Sequence, residues 1–165
     1  MSVLLSIKPK YVELIKSGSK KYEFRKKIFK VNANCKVFMY STSPVKKIVG
    51  FFEPPVIHME KPSRIWDRFG ENSGLSELEF FSYFKNSKNA FAIEVGNLFI
   101  FNEPLDPSQY FADFRPPQSY CYFHLSNPNF SYTKGSTGRG DTLDQHFAAN
   151  FHFLVGTRGR VAPAE

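Results

Sequence analysis

Between Ser17 and Lys27 the chain reads SGSKKYEFRKK, a turn opening into a short run that sets Lys20, Lys21, Glu23 and Arg25 among aromatic residues. Successive side chains of a strand point to opposite faces, so Lys21, Glu23 and Arg25 share one face and Lys20, Tyr22 and Phe24 the other. A polar face of this length suits either a solvated edge strand or the wall of a charged cleft. The chemistry on offer is that of anions. Arg25 presents a planar fork to a phosphate or a base edge, which a lysine cannot copy. A lysine among basic neighbours in a partly desolvated groove has its pKa pushed down, toward use as a base, while Glu23 pulls it back up. Lys20 and Glu23 are therefore the catalytic candidates if the protein is an enzyme. Lys20, Lys21, Arg25, Lys26 and Lys27 are the candidate phosphate contacts.

Charge elsewhere sharpens this reading. From Lys16 to Lys30 there are seven Lys and Arg residues against Glu23 alone, whereas the whole chain has a formal charge of +7. Nearly all of the excess is thus concentrated in one stretch, the electrostatic footprint of a polyanion partner. A membrane surface would call for a long amphipathic helix, which the pattern does not offer, so RNA or single-stranded nucleic acid is the expected partner and a membrane is not. Tyr22, Tyr40 and Trp66 offer stacking surfaces for an unpaired base. Ser41 and Ser43, in the turn STSP, offer hydroxyls to a phosphate, and Gln118 and Ser119 offer polar groups to a base edge.

These residues need a scaffold. A chain of 165 residues with 42% apolar and 17% aromatic residues, 19 of them Phe, can bury one substantial core. No apolar run approaches the roughly 18 residues that span a bilayer, and MSVLLSIKPK lacks a cleavage-site pattern, so a cytoplasmic protein is expected. Cys35 and Cys121 have no C-x-x-C spacing and read as small buried hydrophobes. His58, His124, His146 and His152 share no metal-ligand spacing, so neither a metal nor a cofactor is expected.

Residues 3–7 read as a buried strand, and Pro9 opens a helix with Tyr11, Val12, Leu14 and Ile15 on one face, stopped at Ser17-Gly18. Strands follow through Glu23, over 36–40 and over 46–54, the last with a bulge expected at Gly50. Pro62-Ser63 starts a helix carrying Ile65, Trp66 and Phe69, and Ser76 caps another carrying Phe80, Phe81, Tyr83 and Phe84. Residues 91–101 give one or two further strands. The sum is a small, curled, mostly β domain of the α+β class with helices on its rim.

SIKPKYVELIKSGSKKYEFRKK, VFMYSTSPVKKIVGFFE, ELEFFSYF and RPPQSYCYF, in that order, resemble an ASCH domain of the PUA-like superfamily. Gly18, Lys20, Glu23 and Arg25 meet its G-x-K-x-x-E-x-R pattern. The resemblance implies a β-barrel of five or six strands with two to four flanking helices beside an open cleft. It covers about residues 2–125, so the expected organisation is an ASCH domain over 1–125 and an extension of unknown role, flexible in character, over 126–165. It implies RNA-binding or regulatory modules, or small enzymes acting on RNA or modified nucleosides. In the ASCH-type amidohydrolases that deacylate N4-acetylcytidine the matching lysine, here Lys20, works with a threonine three positions on. Here that position is Glu23, a poor substitute for a hydroxyl nucleophile but able to activate water.

The expected function is therefore an RNA-binding or single-stranded nucleic-acid-binding module with a basic cleft. The alternative is a small hydrolase of RNA or of a modified nucleoside, ribonuclease-like or N4-acetylcytidine amidohydrolase-like. A third reading gives residues 126–165 to a protein partner or to self-association, with Phe147, Phe151 and Leu154 at helical spacing in 143–155.

Overall fold

The computed structural model describes residues 2–32, 35–53, 55–109, 114–126, 132–134 and 150–152. In chain order the strands are β1 (Ser2–Ile7), β2 (Tyr22–Arg25), β3 (Val37–Ser41), β4 (Lys47–Glu53), β5 (Val56–Glu60), β6 (Ala90–Glu94), β7 (Asn97–Leu105), β8 (Tyr120–Ser126), β9 (Tyr132–Lys134) and β10 (Asn150–His152). The helices are α1 (Pro9–Lys16), α2 (Pro62–Phe69) and α3 (Glu77–Tyr83).

The strands form two sheets, a seven-stranded one ordered β10-β8-β1-β3-β4-β7-β9 and a three-stranded one ordered β2-β6-β5. Only β1 and β3 run parallel among the described pairs; the crossover between them contains α1 and β2. The fold is α+β, with more strands than the five or six expected, and no described pairing joins the two sheets into a closed barrel.

Side-chain alternation sorts the residues into layers. Val3, Leu5 and Ile7 of β1 and Val37 and Met39 of β3 face a central core that also takes in Val12 and Ile15 of α1 and Ile93 of β6. Leu4, Phe38 and Tyr40 face the opposite side of the large sheet with Phe51 and Phe101. The outer face of the small sheet, Tyr22, Phe24, Ala90 and Ala92, packs under α2 and α3 through Ile65, Phe69, Phe80 and Phe84. Trp66, offered by the sequence as a stacking surface, belongs to this helical layer, with its ring 5.1 Å from that of Phe80.

Two glycines are required by geometry. Gly18, at φ 78°, ends α1 where a side chain would strain the backbone. Gly50 marks the expected bulge: β4 slips register there against both β3 and β7. The extra residue inverts the alternation, so Val49 and Phe52, three apart, both reach the central core, while Ile48 and Phe51 reach the other side.

Beyond residue 126 the described residues add two short strands, one of which, Asn150–His152, falls inside the segment 143–155 read at helical spacing. β9 pairs with β7, and β10 at Asn150–His152 pairs with β8. Open edges of the large sheet, with unpaired N–H and C=O groups, are what these segments satisfy. The rest of 143–155 lies outside the described residues. Among the described residues no helix is long and apolar enough to cross a membrane.

A Cβ at Gly50 would lie 2.2 Å from the backbone oxygen of Phe99. Gly50→Ala is therefore expected to cost about 1–3 kcal/mol of stability through overpacking, read as a lower urea midpoint.

Candidate nucleic-acid interface

The charged stretch at 20–25 does not form a solvated edge. The strand begins at Tyr22, and both of its faces are covered. Tyr22 and Phe24 turn toward the helices, while Glu23, paired in register with Ile93, turns with Arg25 toward the gap between the sheets. Lys20 precedes the strand, so alternation does not bind it. Its backbone N–H donates to Leu14 O at the end of α1, and its side chain folds back to Glu23.

The result is a buried charge triad. Lys20 is 1% exposed, Glu23 7% and Arg25 8%. Glu23 Oε2 lies 3.2 Å from Lys20 Nζ and Oε1 lies 2.9 Å from Arg25 Nη2. Lys20 Nζ also donates to Ser73 O at 2.5 Å and to Tyr22 O at 2.8 Å. Three acceptors thus meet the three N–H donors of an ammonium. Burial pushes the Lys20 amine below the ordinary lysine value, and Glu23 opposes that. Arg25 Nη2 donates to Ser6 O at 2.6 Å, and Nη1 reaches Ser119 Oγ at 3.5 Å, tying β2 to β1 and to the residue before β8.

Above the triad lies a cleft of about 710 Å³. One wall is the start of α1 with Ile7, Lys8, Lys10 and Tyr11; the other is Leu75 with Glu79, Ser82 and Tyr83 of α3; Thr42, Pro117 and Gln118 complete it. Among its lining residues Lys8, Lys10, Lys20 and Arg25 oppose the carboxylates of Glu23 and Glu79. Lys10 Nζ meets Glu79 Oε1 at 3.1 Å, an ion pair joining the two walls. Glu79 is fixed from behind by a capping box, accepting from Ser76 N–H at 2.9 Å while Ser76 Oγ accepts from its own N–H. The Ser76 backbone N–H, with help from Lys10, holds the Glu79 carboxyl down at about 2.

The other residues singled out by sequence fall around or away from this cleft. Gln118 lines it, and Ser119 touches Arg25. Lys26 and Lys27 are exposed just beyond β2, Lys26 Nζ standing 5.1 Å from the centroid of the Tyr83 ring. Lys21 and Tyr22 instead line a smaller hollow of about 340 Å³ with Glu94. Tyr40 is 2% exposed, on the far side of the large sheet against Phe114. Ser41 is buried and Ser43 is exposed, neither lining the cleft, whereas Thr42 between them does. Lys8, Lys10, Glu79 and Tyr83 were not singled out as contacts: they are distant in sequence and meet only because α1 and α3 flank one opening. Among the described residues no group of three or more His, Cys, Asp or Glu side chains is placed to hold a metal ion.

No family model matches the chain. An ASCH domain-containing ribonuclease from Zymomonas mobilis subsp. mobilis is 30% identical over 125 residues, 72% of this chain and 82% of that protein. The crystal structure of ASCH from Zymomonas mobilis superposes with a TM-score of 0.67 at 27% identity, covering 74% of this chain and 87% of that one. A mutant of the same protein reaches 0.69 at the same identity, covering 74% and 90%. The large ribosomal subunit protein uL22 of Ureaplasma parvum serovar 3 is 27% identical over 109 residues, 66% of this chain but 35% of that protein. The chain belongs to the ASCH domain family.

Two outcomes follow for the charges. Glu23→Gln leaves Lys20 and Arg25 buried without their shared counter-ion and should cost about 3–5 kcal/mol of stability. Combined with Lys20→Met it should cost less than the two single changes together, by about 0.5–3 kcal/mol in a double-mutant cycle of urea denaturation. For Glu79, whose folded value of about 2 lies below the ordinary 4.5, the stabilising contribution is complete above pH 4.5 and lost as pH falls toward 2. Glu79→Gln should flatten that acid limb of the urea midpoint against pH.

Proposed function

We propose that this protein binds RNA or single-stranded nucleic acid, the phosphates lying in the cleft between α1 and α3 against Lys8, Lys10 and the guanidinium face of Arg25. The observation that carries this reading is the asymmetry of the cleft's charge. Its carboxylates are both engaged, Glu23 by Lys20 and Arg25 and Glu79 by Lys10 and the cap of α3, while Lys8 is exposed with no ion pair among the described residues and Lys10 has only its exposed ion pair with Glu79. A phosphate entering the cleft exchanges Glu79 for itself as the partner of Lys10. The cleft is basic in this sense, and Lys26 and Lys27 extend the basic surface past the end of β2. The ASCH domain-containing ribonuclease of Zymomonas mobilis, similar over most of its length, makes RNA the natural polyanion to test first.

Binding is favoured over hydrolysis by the state of Lys20 and Glu23. The lysine has an acceptor for each N–H, and both carboxylate oxygens of Glu23 are committed to ion pairs in a setting only 7% exposed, so neither group is presented to a substrate proton. The relative's name as a ribonuclease is the one observation that favours the second reading, an RNA hydrolase built on the same cleft.

Fluorescence anisotropy with a labelled single-stranded oligoribonucleotide tests the first reading. Affinity should fall with salt, log K against log [salt] sloping at about −2 for three phosphate contacts on a single strand. Lys8→Ala with Lys10→Ala should weaken binding and make that slope shallower. Affinity indifferent both to salt and to these changes overturns the assignment. Gel analysis of the same RNA after incubation decides the second: cleavage by the wild type that disappears in Glu23→Gln, with the variant shown to be folded by circular dichroism, would move Glu23 from a structural to a chemical role.

A further inference from the structure

We propose that Tyr83 is the shelf on which an unpaired base stacks, so that the ligand of the cleft is a single-stranded nucleotide segment rather than a duplex. The inference rests on the cleft reading above and adds to it the part of the ligand that is not phosphate. Of the cleft's aromatic residues, Phe24 is buried at 5% exposure and Tyr11 is half-buried, with Lys10 Nζ 4.6 Å and Lys20 Nζ 5.1 Å from its ring centroid, whereas Tyr83 is 42% exposed at the very end of α3. A tyrosine held in water beside a groove costs hydrophobic free energy that the fold does not recover. Its ring is nonetheless fixed: it meets the ring of Phe84, itself 3% exposed, at 4.8 Å and an interplanar angle of 78°. That contact is edge-to-face rather than stacked. Its hydroxyl makes no hydrogen bond among the described residues.

Lys26 supplies the second half of the argument. Its Nζ stands 5.1 Å from the Tyr83 centroid, a cation held at an aromatic ring on the rim of the groove. An exposed aromatic paired with a cation, facing a wall of further cations at Lys8 and Lys10, is the arrangement by which single strands are held: bases on the ring, backbone along the charges. The geometry gives the strand a sidedness. Bases lie toward α3, with Ser82 one residue away as a polar neighbour, and phosphates lie toward α1. Bases inside a duplex have both faces covered by their neighbours and cannot use such a shelf.

The test uses the full chain and three probes: a single-stranded oligoribonucleotide, the same strand annealed to its complement, and a strand of equal length and charge carrying abasic sites. Tyr83→Ala should weaken the single strand about 5- to 150-fold. Tyr83→Phe should stay within about threefold of wild type, and Tyr83→Leu should behave like the alanine change, which separates stacking from mere burial. The abasic strand should bind wild type weakly and be indifferent to Tyr83→Ala. A 2-aminopurine placed in the strand should be quenched by wild type and not by Tyr83→Ala. If Tyr83→Ala binds the single strand as wild type does while Lys8→Ala with Lys10→Ala still weakens it, the shelf is overturned and the cleft reading stands. If wild type binds none of the strands, both fall.

Discussion

Everything near the cleft depends on where a single carboxylate is placed. Glu23 sits in the interior between Lys20 and Arg25, and its two oxygens are what make two buried cations tolerable together. Through those cations it reaches much of the fold. Lys20 ties the turn after α1 to the loop at Ser73 that leads into α3, and Arg25 ties β2 to Ser6 of β1 and to Ser119 before β8. The two walls of the cleft are therefore braced from below by one charge cluster. At the surface Lys10 and Glu79 also join α1 to α3, an exposed pair of the kind worth little by itself.

The layers explain why the cluster lies so deep. The three-stranded sheet is covered on one face by α2 and α3 and on the other by the large sheet and α1, so β2 has no solvated side. Its charged face must find partners within the protein, and does at every polar atom but Arg25 Nε, which is buried without a hydrogen-bond partner among the described residues. The large sheet solves a different problem at Gly50, where an added residue lets β4 supply Val49 and Phe52 to one core and Ile48 and Phe51 to the other.

Much of this was legible in the residues. Pro9 and Ser17-Gly18 marked α1, Ser76 marked the start of α3, and the apolar run at 3–7 and the strand-forming run at 36–40 before its turn marked β1 and β3, because caps, turns and short apolar runs are local signals. Lys20, Glu23 and Arg25 were picked out by type and spacing, and the structure brings all three together. What alternation got wrong was their faces: it set Lys20 apart from Glu23, because the strand was taken to begin before Tyr22. Stacking candidates chosen for being aromatic pack in two surroundings, Tyr22 and Trp66 in the helical layer and Tyr40 behind the large sheet, since a chain this rich in Phe uses rings first to fill cores. Lys10, Glu79 and Tyr83 carried no pattern that ties them to residue 20. Their meeting is a product of topology, with β2 and α3 far apart in sequence and adjacent in space, and no short-range rule reads that out.

The double burial of β2 also bears on how such a cleft can change over evolution. Its floor is core: altering Lys20, Glu23 or Arg25 to suit another ligand disturbs packing above and below at once. Its rim is not. Lys8, Lys10, Tyr83 and Gln118 stand on ends of elements and on a loop, where a substitution disturbs surface contacts such as Lys10 with Glu79 and Tyr83 with Lys26 rather than the buried triad. On the binding reading proposed above, a fold of this plan can change what it holds through a handful of peripheral side chains, while changes to the floor beneath carry the cost of disturbing the core.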